Sequence, residues 1–285
     1  MADELKFKQH WENKAKYTNE SEVVFGKVLG QAWSRDRDRK AFMELATSLD
    51  IEKESAILDV GCGPLARAEV HFSLQGFQIV GLDISPTIVN HAQACVKKEG
   101  VPRKTDFVVA DAEVLPFRSD IFNVVLCIGT ICHLPSKDIL VKALSEMKRV
   151  IKMHSKIFIP WWINFYSISG VERKIMAKLF DILRIPRAQY LTFQGSKEVC
   201  ALINNSGLTI NKMYYGSLLE MPWILYPCPM KIRNLFARVI ELLNDYHMKN
   251  RNLWYLSSSF GVKCQKTEEF GYQRDTPKIE YGEFF

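Results

Sequence analysis

Glycines and acidic residues follow one another at a spacing that suits a nucleoside ligand. Gly61-Cys62-Gly63 forms a candidate turn, and Asp59 lies two residues before it. A glycine has no Cβ, so its backbone can approach a ligand closely. The Asp59 carboxylate can accept a hydrogen bond from a cationic amino group. Asp83 lies 20 residues after Gly63, where its carboxylate can bind both hydroxyls of a ribose or simply cap a helix. Cys62 is interpreted as a small buried filler that borders the ligand.

Further candidate contacts follow later in the chain. Asp111 is placed to accept a hydrogen bond from an adenine amino group, unless the backbone amide of Ala112 serves instead. Ile84 suits either the face of the adenine ring or the protein core. Cys127 and Gly129 border the same ligand through backbone atoms in this interpretation.

The elements that must position these residues alternate between strands and helices. This alternation, from Ala56 to Trp161, predicts βαβ units and a parallel sheet with helices on both faces. Ligands of such sheets bind at the carboxyl ends of the strands, where the glycine turn, Asp83 and Asp111 would converge. The predicted strands are Ala56–Val60, Gly76–Asp83, Thr105–Val109, Phe122–Cys127 and Lys156–Trp161. The predicted helices are Leu65–Leu74, Pro86–Lys98 with Ser85 as N-cap, and one that Ser136 caps and that reaches Ile151.

The flanking regions are more helical. A helix is predicted over 23–49, and helical insertions are expected at 164–193 and 217–252. Elsewhere after Trp161 the pattern predicts helices at Val171–Leu183 and Ser196–Asn205, and strands at Leu208–Tyr215 and Ser257–Lys263. Residues 265–285 are polar and are expected to form a mobile tail.

Four stretches together resemble the class I S-adenosylmethionine (SAM)-dependent methyltransferases, particularly the branch that methylates quinones and other small molecules. They are ILDVGCGP (57–64), VGLDIS (80–85), ADAEVLPF (110–117) and FNVVLCIGTICHLP (122–135). The resemblance implies a Rossmann-like, doubly wound, mostly parallel seven-stranded α/β sheet that ends in an antiparallel hairpin. It implies SAM as cofactor and S-adenosylhomocysteine (SAH) as product. Leu65 stands where the family often has a third glycine.

The resemblance also divides the chain. Residues 1–50 would form an N-terminal helical lid that carries Trp11 and Tyr17, and residues 51–264 would form the methyltransferase domain.

Transfer of a methyl group needs an aligned acceptor, and it needs a general base only when the acceptor must lose a proton. His133 is the candidate base, and a structural histidine is the alternative. No metal site is predicted.

A nicotinamide dinucleotide site is the main rival, because Gly61 to Ala66 also fits the glycine pattern of that fold. Asp59 argues against it, since a carboxylate at that position would repel a pyrophosphate and attract the ammonium group of SAM.

Two apolar, aromatic segments, 160–166 and 218–229, are candidate walls for an apolar or aromatic acceptor such as a lipid, a quinone or a polyketide-like molecule. Packing against the main domain would explain them equally well. The amphipathic helix at 231–243 carries Lys231, Arg233 and Arg238 and suits either a membrane surface or a solvated cap.

Two other functions stay open. Cys127-Ile128-Gly129-Thr130 lacks the motif of nucleic-acid amino methylases, and the basic residues form no stripe. Nucleic acid is therefore a disfavoured partner, but a transfer-RNA or other RNA base methylase shares the same core motifs. A non-catalytic SAM-binding regulatory protein would also keep these residues.

Composition excludes several classes of protein. The chain has 285 residues, 47% of them hydrophobic, and a formal charge of +6, which is ordinary for a globular protein. No apolar run approaches the about 18 residues of a membrane span, and the N-terminus lacks a secretory signal. The seven cysteines are scattered without a C-x-x-C pair, which argues against a disulfide framework. A cytoplasmic location is expected.

Overall fold

A seven-stranded sheet organises the protein. The computed structural model describes residues 7–13, 15, 35–101, 105–163, 167–182, 196–215, 230–250, 257 and 259–267. The strand order is β3-β2-β1-β4-β5-β7-β6. The first five strands run parallel, and β7 lies antiparallel between β5 and β6. The strands are β1 (Ala56–Val60), β2 (Gln78–Asp83), β3 (Thr105–Val109), β4 (Phe122–Leu126), β5 (Ile151–Ile163), β6 (Leu208–Tyr215) and β7 (Ser259–Lys266).

Helices cover both faces of the sheet. A short helix at residues 7–13 (α1) precedes α2 (Arg35–Ser48), α3 (Arg67–Leu74), α4 (Pro86–Lys98), α5 (Lys137–Val150), α6 (Ile168–Ile182), α7 (Ser196–Asn205) and α8 (Met230–Lys249). One turn of 3-10 helix lies at Ile131–His133. The predicted doubly wound, mostly parallel sheet with an antiparallel C-terminal hairpin is confirmed.

Successive side chains of a strand point to opposite faces of the sheet, so β1 contributes to the hydrophobic core on both faces. Leu58 belongs to a cluster with Leu140 and Leu144 of α5. Ile57 belongs to a second cluster with Phe72 of α3 and Phe42 of α2. The sheet is therefore buried on both sides, which explains the nearly continuous apolar character of β1 and β4.

Serine caps begin two helices as predicted. The Ser85 hydroxyl accepts a hydrogen bond from the Ile88 N–H at 3.2 Å, and Ser136 caps α5 through the Ile139 N–H at 3.2 Å. Such a side chain satisfies one backbone N–H that the first helical turn leaves unpaired. The starts of α4 and α5 follow from these residues.

Several predicted boundaries were wrong by a few residues. The helix α3 begins at Arg67 because Ala66 adopts a left-handed conformation, with φ +45°, at its N-cap. Ile151 was assigned to a helix, but it opens β5 beside Phe122 of β4. The last strand ends at Lys266, three residues beyond its predicted end at Lys263 and inside the expected tail.

Other predictions lie outside the described residues. They include the helix before position 35, Tyr17, segment 218–229, residues 183–193 of the first helical insertion and the tail from 268 onward. Within the part that the structure describes, no helix is both long and apolar enough to cross a membrane.

Candidate active site

The glycine turn after β1 is fastened to the end of β2. The backbone N–H groups of Gly61 and Cys62 both donate to the Leu82 carbonyl, at 2.7 and 2.9 Å. Gly61 and Gly63 have φ values of +86° and +64°, which side chains with a Cβ rarely adopt. The turn therefore presents bare backbone at the carboxyl edge of the sheet.

Gly61 is required for a second reason. A Cβ at this position would lie 2.6 Å from Cγ2 and 2.8 Å from Cβ of Thr130. Thr130 follows β4 and donates a hydrogen bond from its hydroxyl to the Gly61 carbonyl at 3.4 Å. The loop after β4 thus packs directly on the turn after β1. Thr130 was not among the residues proposed from the sequence, because a lone threonine carries no signal of this contact.

Asp83 ends β2 and is held in place by backbone donors. The Gly63 N–H donates to its Oδ2 at 3.3 Å, and the Ser85 N–H donates to its Oδ1 at 3.1 Å. Only 9% of Asp83 is exposed. Burial raises the pKa of its carboxyl group, although these backbone hydrogen bonds act in the opposite direction. Ser85, and not Asp83, is the N-cap of α4.

Asp111 follows β3 in a local turn. Its Oδ1 accepts from the Glu113 N–H at 3.1 Å, and its Oδ2 lies 3.1 Å from the ammonium group of Lys8 in α1. The Ala110 N–H donates to the Asp83 carbonyl at 3.0 Å. This bond fixes the segment that carries Asp111 and Ala112 beside the end of β2.

An ion pair on α5 holds the rest of that segment. Arg149 donates to the carbonyls of Phe117 and Leu115 at 2.7 and 2.9 Å, and Glu146 accepts from the Leu115 N–H at 2.8 Å. Arg149 also donates to both carboxylate oxygens of Glu146 at 2.7 Å. The bond from Arg149 lowers the pKa of Glu146. These two residues were missed, since their partners lie some 30 positions away in the sequence.

A cavity of about 280 Å³ lies between these loops. The sequence-proposed residues that line it are Gly61, Gly63, Asp83, Ile84, Asp111, Ala112, Gly129 and His133. Its wall also contains residues that were not proposed as ligands, among them Phe7, Trp11, Ile88, Ile128, Thr130 and Leu134. The three predicted loops do converge, as the parallel topology requires.

Three proposed residues lie behind the wall and do not line the cavity. Asp59 is only 3% exposed, and it shares a face of β1 with Ile57, the face on which α3 packs. Burial, and then the neighbouring charge of Asp83, raises the pKa of Asp59 to about 7. Cys62 is buried, as expected of a small filler, and Cys127, which was expected to border the ligand, is buried as well.

The helix α1 lies across the opening of the cavity. Glu12 accepts a hydrogen bond from the Ser85 hydroxyl at 2.5 Å and also contacts the Thr87 hydroxyl. The ring of Trp11 meets the ring of His133 edge to face, with centroids 5.0 Å apart. Together with the pair of Lys8 and Asp111, these contacts attach α1 to the loops after β2, β3 and β4.

The residues present fit SAM. The turn at Gly61 offers a cradle that a Cβ would fill, and the Asp83 carboxylate at the end of β2 lies within hydrogen-bonding distance of the turn. The buried acids near the turn favour a cationic ligand over a pyrophosphate. Fold and site thus define a Rossmann-like domain of the class I methyltransferase type.

Comparisons of the sequence agree with this assignment. Residues 58–159 match the model of a methyltransferase domain family. Norajmaline N-methyltransferase from Rauvolfia serpentina is 33% identical over 141 residues, which are 47% of each chain. The sterol 24-C-methyltransferase of Gibberella zeae is 34% identical over 46% of this chain and 34% of its own length. A probable tocopherol O-methyltransferase from Oryza sativa is 30% identical, over 49% and 38%. The matched region spans less than half of each of these relatives.

Solved structures share the fold. A SAM-dependent methyltransferase from Methanosarcina mazei superposes with a TM-score of 0.55 at 17% identity, over 79% of this chain and 98% of its own. Geranyl diphosphate methyltransferase in complex with SAM gives 0.53 at 10% identity, over 82% and 85%. The cyclase SpnF gives 0.54 at 16% identity, over 80% and 81%. Residues 58–159 thus form a methyltransferase domain, and the sheet that contains them has the fold of SAM-dependent methyltransferases.

Proposed function

We propose that this protein transfers the methyl group of SAM to a small, apolar acceptor molecule. The observation that carries the proposal is the convergence of the Gly61 cradle, Asp83 and Asp111 on one cavity at the carboxyl edge of the sheet. When bound, SAM supplies a methyl group on a positively charged sulfur, so the protein's task is to align the acceptor and exclude water.

Each side of the cavity has a role in this proposal. Asp83 accepts hydrogen bonds from both ribose hydroxyls, because the Gly63 and Ser85 N–H groups already hold its carboxylate in place. The adenine ring lies beside Asp111 and Ala112, with Ile84 against its face. Gly129 borders the ligand through backbone atoms, whereas the buried Cys62 and Cys127 lie behind the cavity wall.

Asp59 acts at longer range than the sequence suggested. Its side chain lies beneath the turn, so it attracts the ammonium group of SAM through the turn and without a direct hydrogen bond. A buried charge is poorly screened, and it therefore acts over several ångströms.

His133 is the candidate general base, since its ring lines the cavity beside Trp11. We expect His133→Gln to reduce the turnover of an acceptor that must lose a proton by about 100-fold or more, with unchanged SAH affinity. The matched control is His154→Asn, at an exposed position that does not line the cavity. Equal turnover in His133→Gln and wild type would assign His133 a structural role.

The acceptor is apolar in this proposal. Phe7, Trp11, Ile128 and Leu134 contribute apolar surface to the cavity. The names of the relatives above give norajmaline, a sterol and a tocopherol as acceptors, and sterols and tocopherols are lipids. A lipid-like acceptor is therefore favoured over a nucleic acid.

Peripheral contact with a membrane would suit such an acceptor. The helices α6 and α8 expose apolar side chains at helical spacing: Ile168, Val171, Ile175, Leu179 and Ile182 on α6, and Leu235, Phe236, Val239, Leu242, Leu243 and Tyr246 on α8. Lys178 and Arg238 lie exposed on the same helices, where they suit anionic lipids. A cytoplasmic location stays a prediction.

We further propose that α1 is a lid that closes over bound SAM. Glu12→Ala removes the acceptor for the Ser85 hydroxyl, and we expect it to accelerate SAH release and to weaken binding by about three- to tenfold. Gln9→Ala is the matched control, because Gln9 is exposed on the same helix. Equal release rates in both variants would contradict the role of α1 as a lid.

Binding and transfer are tested separately. Titration calorimetry with SAH should detect binding, and NAD should produce no heat. Transfer of an isotope-labelled methyl group is then measured against sterols, tocopherol-type phenols, alkaloid amines and transfer RNA. Labelling of a small molecule supports the proposal. Binding of SAH without transfer to any substrate would favour a regulatory SAM-binding protein, and labelled RNA would favour the RNA methylase.

A further inference from the structure

Glu69 is a fully buried acid. It lies on α3, none of its surface is exposed, and both of its carboxyl oxygens lack a hydrogen-bond partner among the described residues. Burying an ionised carboxylate without partners is costly. Its presence under the proposed SAM site therefore calls for a role.

The fold provides a specific space for this side chain. A Cβ at Gly81 would overlap Oε1 of Glu69 and would lie 2.9 Å from the ring of Phe107. Gly81 of β2 is the register partner of Asp59 of β1, so positions 59 and 81 share one face of the sheet. The Glu69 carboxyl group thus takes the place of a missing side chain, beside the side chain of Asp59.

The two carboxyl groups interact electrostatically. Burial, and then the charge of Asp59, raises the pKa of Glu69 well above its ordinary value. One of the oxygens of Asp59, Oδ1, likewise lacks a hydrogen-bond partner among the described residues. Two adjacent buried carboxyl groups cannot both ionise cheaply, so such a pair holds a proton at neutral pH.

The surrounding groups do not offset a second negative charge. Asp83 ends β2 and the Cys62 thiol lies in the turn, and both become more negative when they lose a proton. Position 107 on β3 is a phenylalanine. On α3 itself, Arg67 and His71 are two residues away from Glu69 and therefore point to other faces of the helix.

We propose that Glu69 and Asp59 hold one proton between them beneath the glycine turn, and that this proton leaves to the solvent when the ammonium group at the amino-acid end of SAM binds above it. The inference rests on the proposed function, because it takes SAM as the ligand. Glu69 is then a positioning residue that sets the charge of Asp59 and does not contact the cofactor.

The proposal predicts the direction in which SAH affinity changes with pH. Affinity for SAH rises with pH through the neutral range, by at most about tenfold per pH unit for one linked proton. Glu69→Gln removes the neighbouring acid, so Asp59 in this variant ionises at a lower pH than in wild type, although burial and the charge of Asp83 still act on it. Its SAH affinity should exceed that of the wild type at slightly acid pH and should depend less on pH. A merely structural role of Glu69 would lower affinity at every pH.

Calorimetry in buffers of different ionisation enthalpy measures the proton directly. Wild type should release part of a proton on binding SAH and none on binding methylthioadenosine, which lacks the amino-acid end. Glu69→Gln should release less with SAH. The matched control is Glu113→Gln, an acid near the cavity that pairs with Lys142, and it should behave as wild type. Equal proton release in wild type and Glu69→Gln would overturn the proposal.

A readout without ligand separates this proposal from the function on which it rests. Infrared titration of the free protein should show a protonated carboxyl band at neutral pH that disappears on alkalisation. In Glu69→Gln the band should disappear at a lower pH than in wild type, because Asp59 no longer has a second acid beside it; Asp59→Asn makes the same comparison for Glu69 if the first variant does not fold. Absence of the band in wild type would overturn the shared proton, whereas failure to bind SAH would count against the proposed function alone.

Discussion

The side chain of Thr130 occupies the space that a side chain at position 61 would need. A Cβ at Gly61 would lie 2.8 Å from Cβ of Thr130, closer than real Cβ contacts come. The loops after β1 and β4 therefore pack closely together. The Thr130 side chain fits there because residue 61 is a glycine and has no side chain. The cradle for the proposed cofactor depends on this pair.

Substitution of the two turn glycines should have unequal effects. Gly61→Ala should lower the free energy of unfolding by about 1–2 kcal/mol because its backbone is left-handed. The clash of the new Cβ with Thr130 should lower it by about 1–3 kcal/mol more. Gly63→Ala should show only the loss from the left-handed backbone, because nothing lies within 4 Å of a Cβ there. Denaturant unfolding measures both free energies. Equal losses would show that Thr130 moves aside freely.

Loss of the Asp83 carboxylate should remove the ribose contact. Two hydrogen bonds to a charged group contribute about 1.5–3 kcal/mol each, so Asp83→Ala should weaken SAH binding by about 100-fold or more. An SAH analogue without ribose hydroxyls should bind wild type as weakly as SAH binds this variant. Asp106→Ala, an exposed acid on the neighbouring strand, is the control. Calorimetric affinities within threefold of wild type for Asp83→Ala would rule out the assigned role.

Arg149 should stabilise the loop that carries the proposed adenine site. Arg149→Lys keeps the charge but cannot reach the carbonyls of Leu115 and Phe117 with a planar fork. We expect the free energy of unfolding to fall by about 1–3 kcal/mol, with weaker SAH binding because Asp111 is less well held. Arg118→Lys, an exposed arginine of the same loop, should have no measurable effect. Unchanged stability of Arg149→Lys would contradict this prediction.

His247 should make stability depend on pH. Its Nε2 lies 2.9 Å from the Ser257 hydroxyl in a buried position, and burial lowers the pKa of its ring. The unfolded chain therefore binds a proton at a higher pH than the folded protein does. Stability contributed by the neutral ring is present above the ordinary histidine pKa of about 6.5 and is lost as pH falls below it.

Replacement of His247 tests whether its neutral ring makes stability fall at acid pH. Between neutral and mildly acid pH, wild type should lose more of its free energy of unfolding than His247→Gln does. His154→Asn, at an exposed position, is the control and should follow wild type. Parallel unfolding curves for wild type and His247→Gln would disprove the prediction.

Local sequence signals predicted much of the fold. The apolar runs gave β1 and β3 with their observed bounds, and Ser85 with Pro86 defined the start of α4. These signals act within one turn or one strand, so a single stretch of sequence contains them entirely. The convergence of the glycine turn, Asp83 and Asp111 followed from parallel topology alone.

Other features needed contacts between distant parts of the chain. Ile151 continues an apolar helical pattern, yet pairing with Phe122 makes it the first residue of β5. Likewise, Glu12 and Lys8 are polar residues of an unremarkable N-terminal stretch, and only their partners Ser85 and Asp111 give them a place at the site.

The sequence by itself determined which residues could form a nucleoside site, because glycine conformations and strand-end acids are local properties. The tertiary structure decided that Asp59 lies beneath the turn and not in the cavity, and that Glu69 lies beside it over Gly81. The reason is physical: the face on which a side chain is buried depends on the register between strands and on the helix packed above them, and neither is encoded at one position.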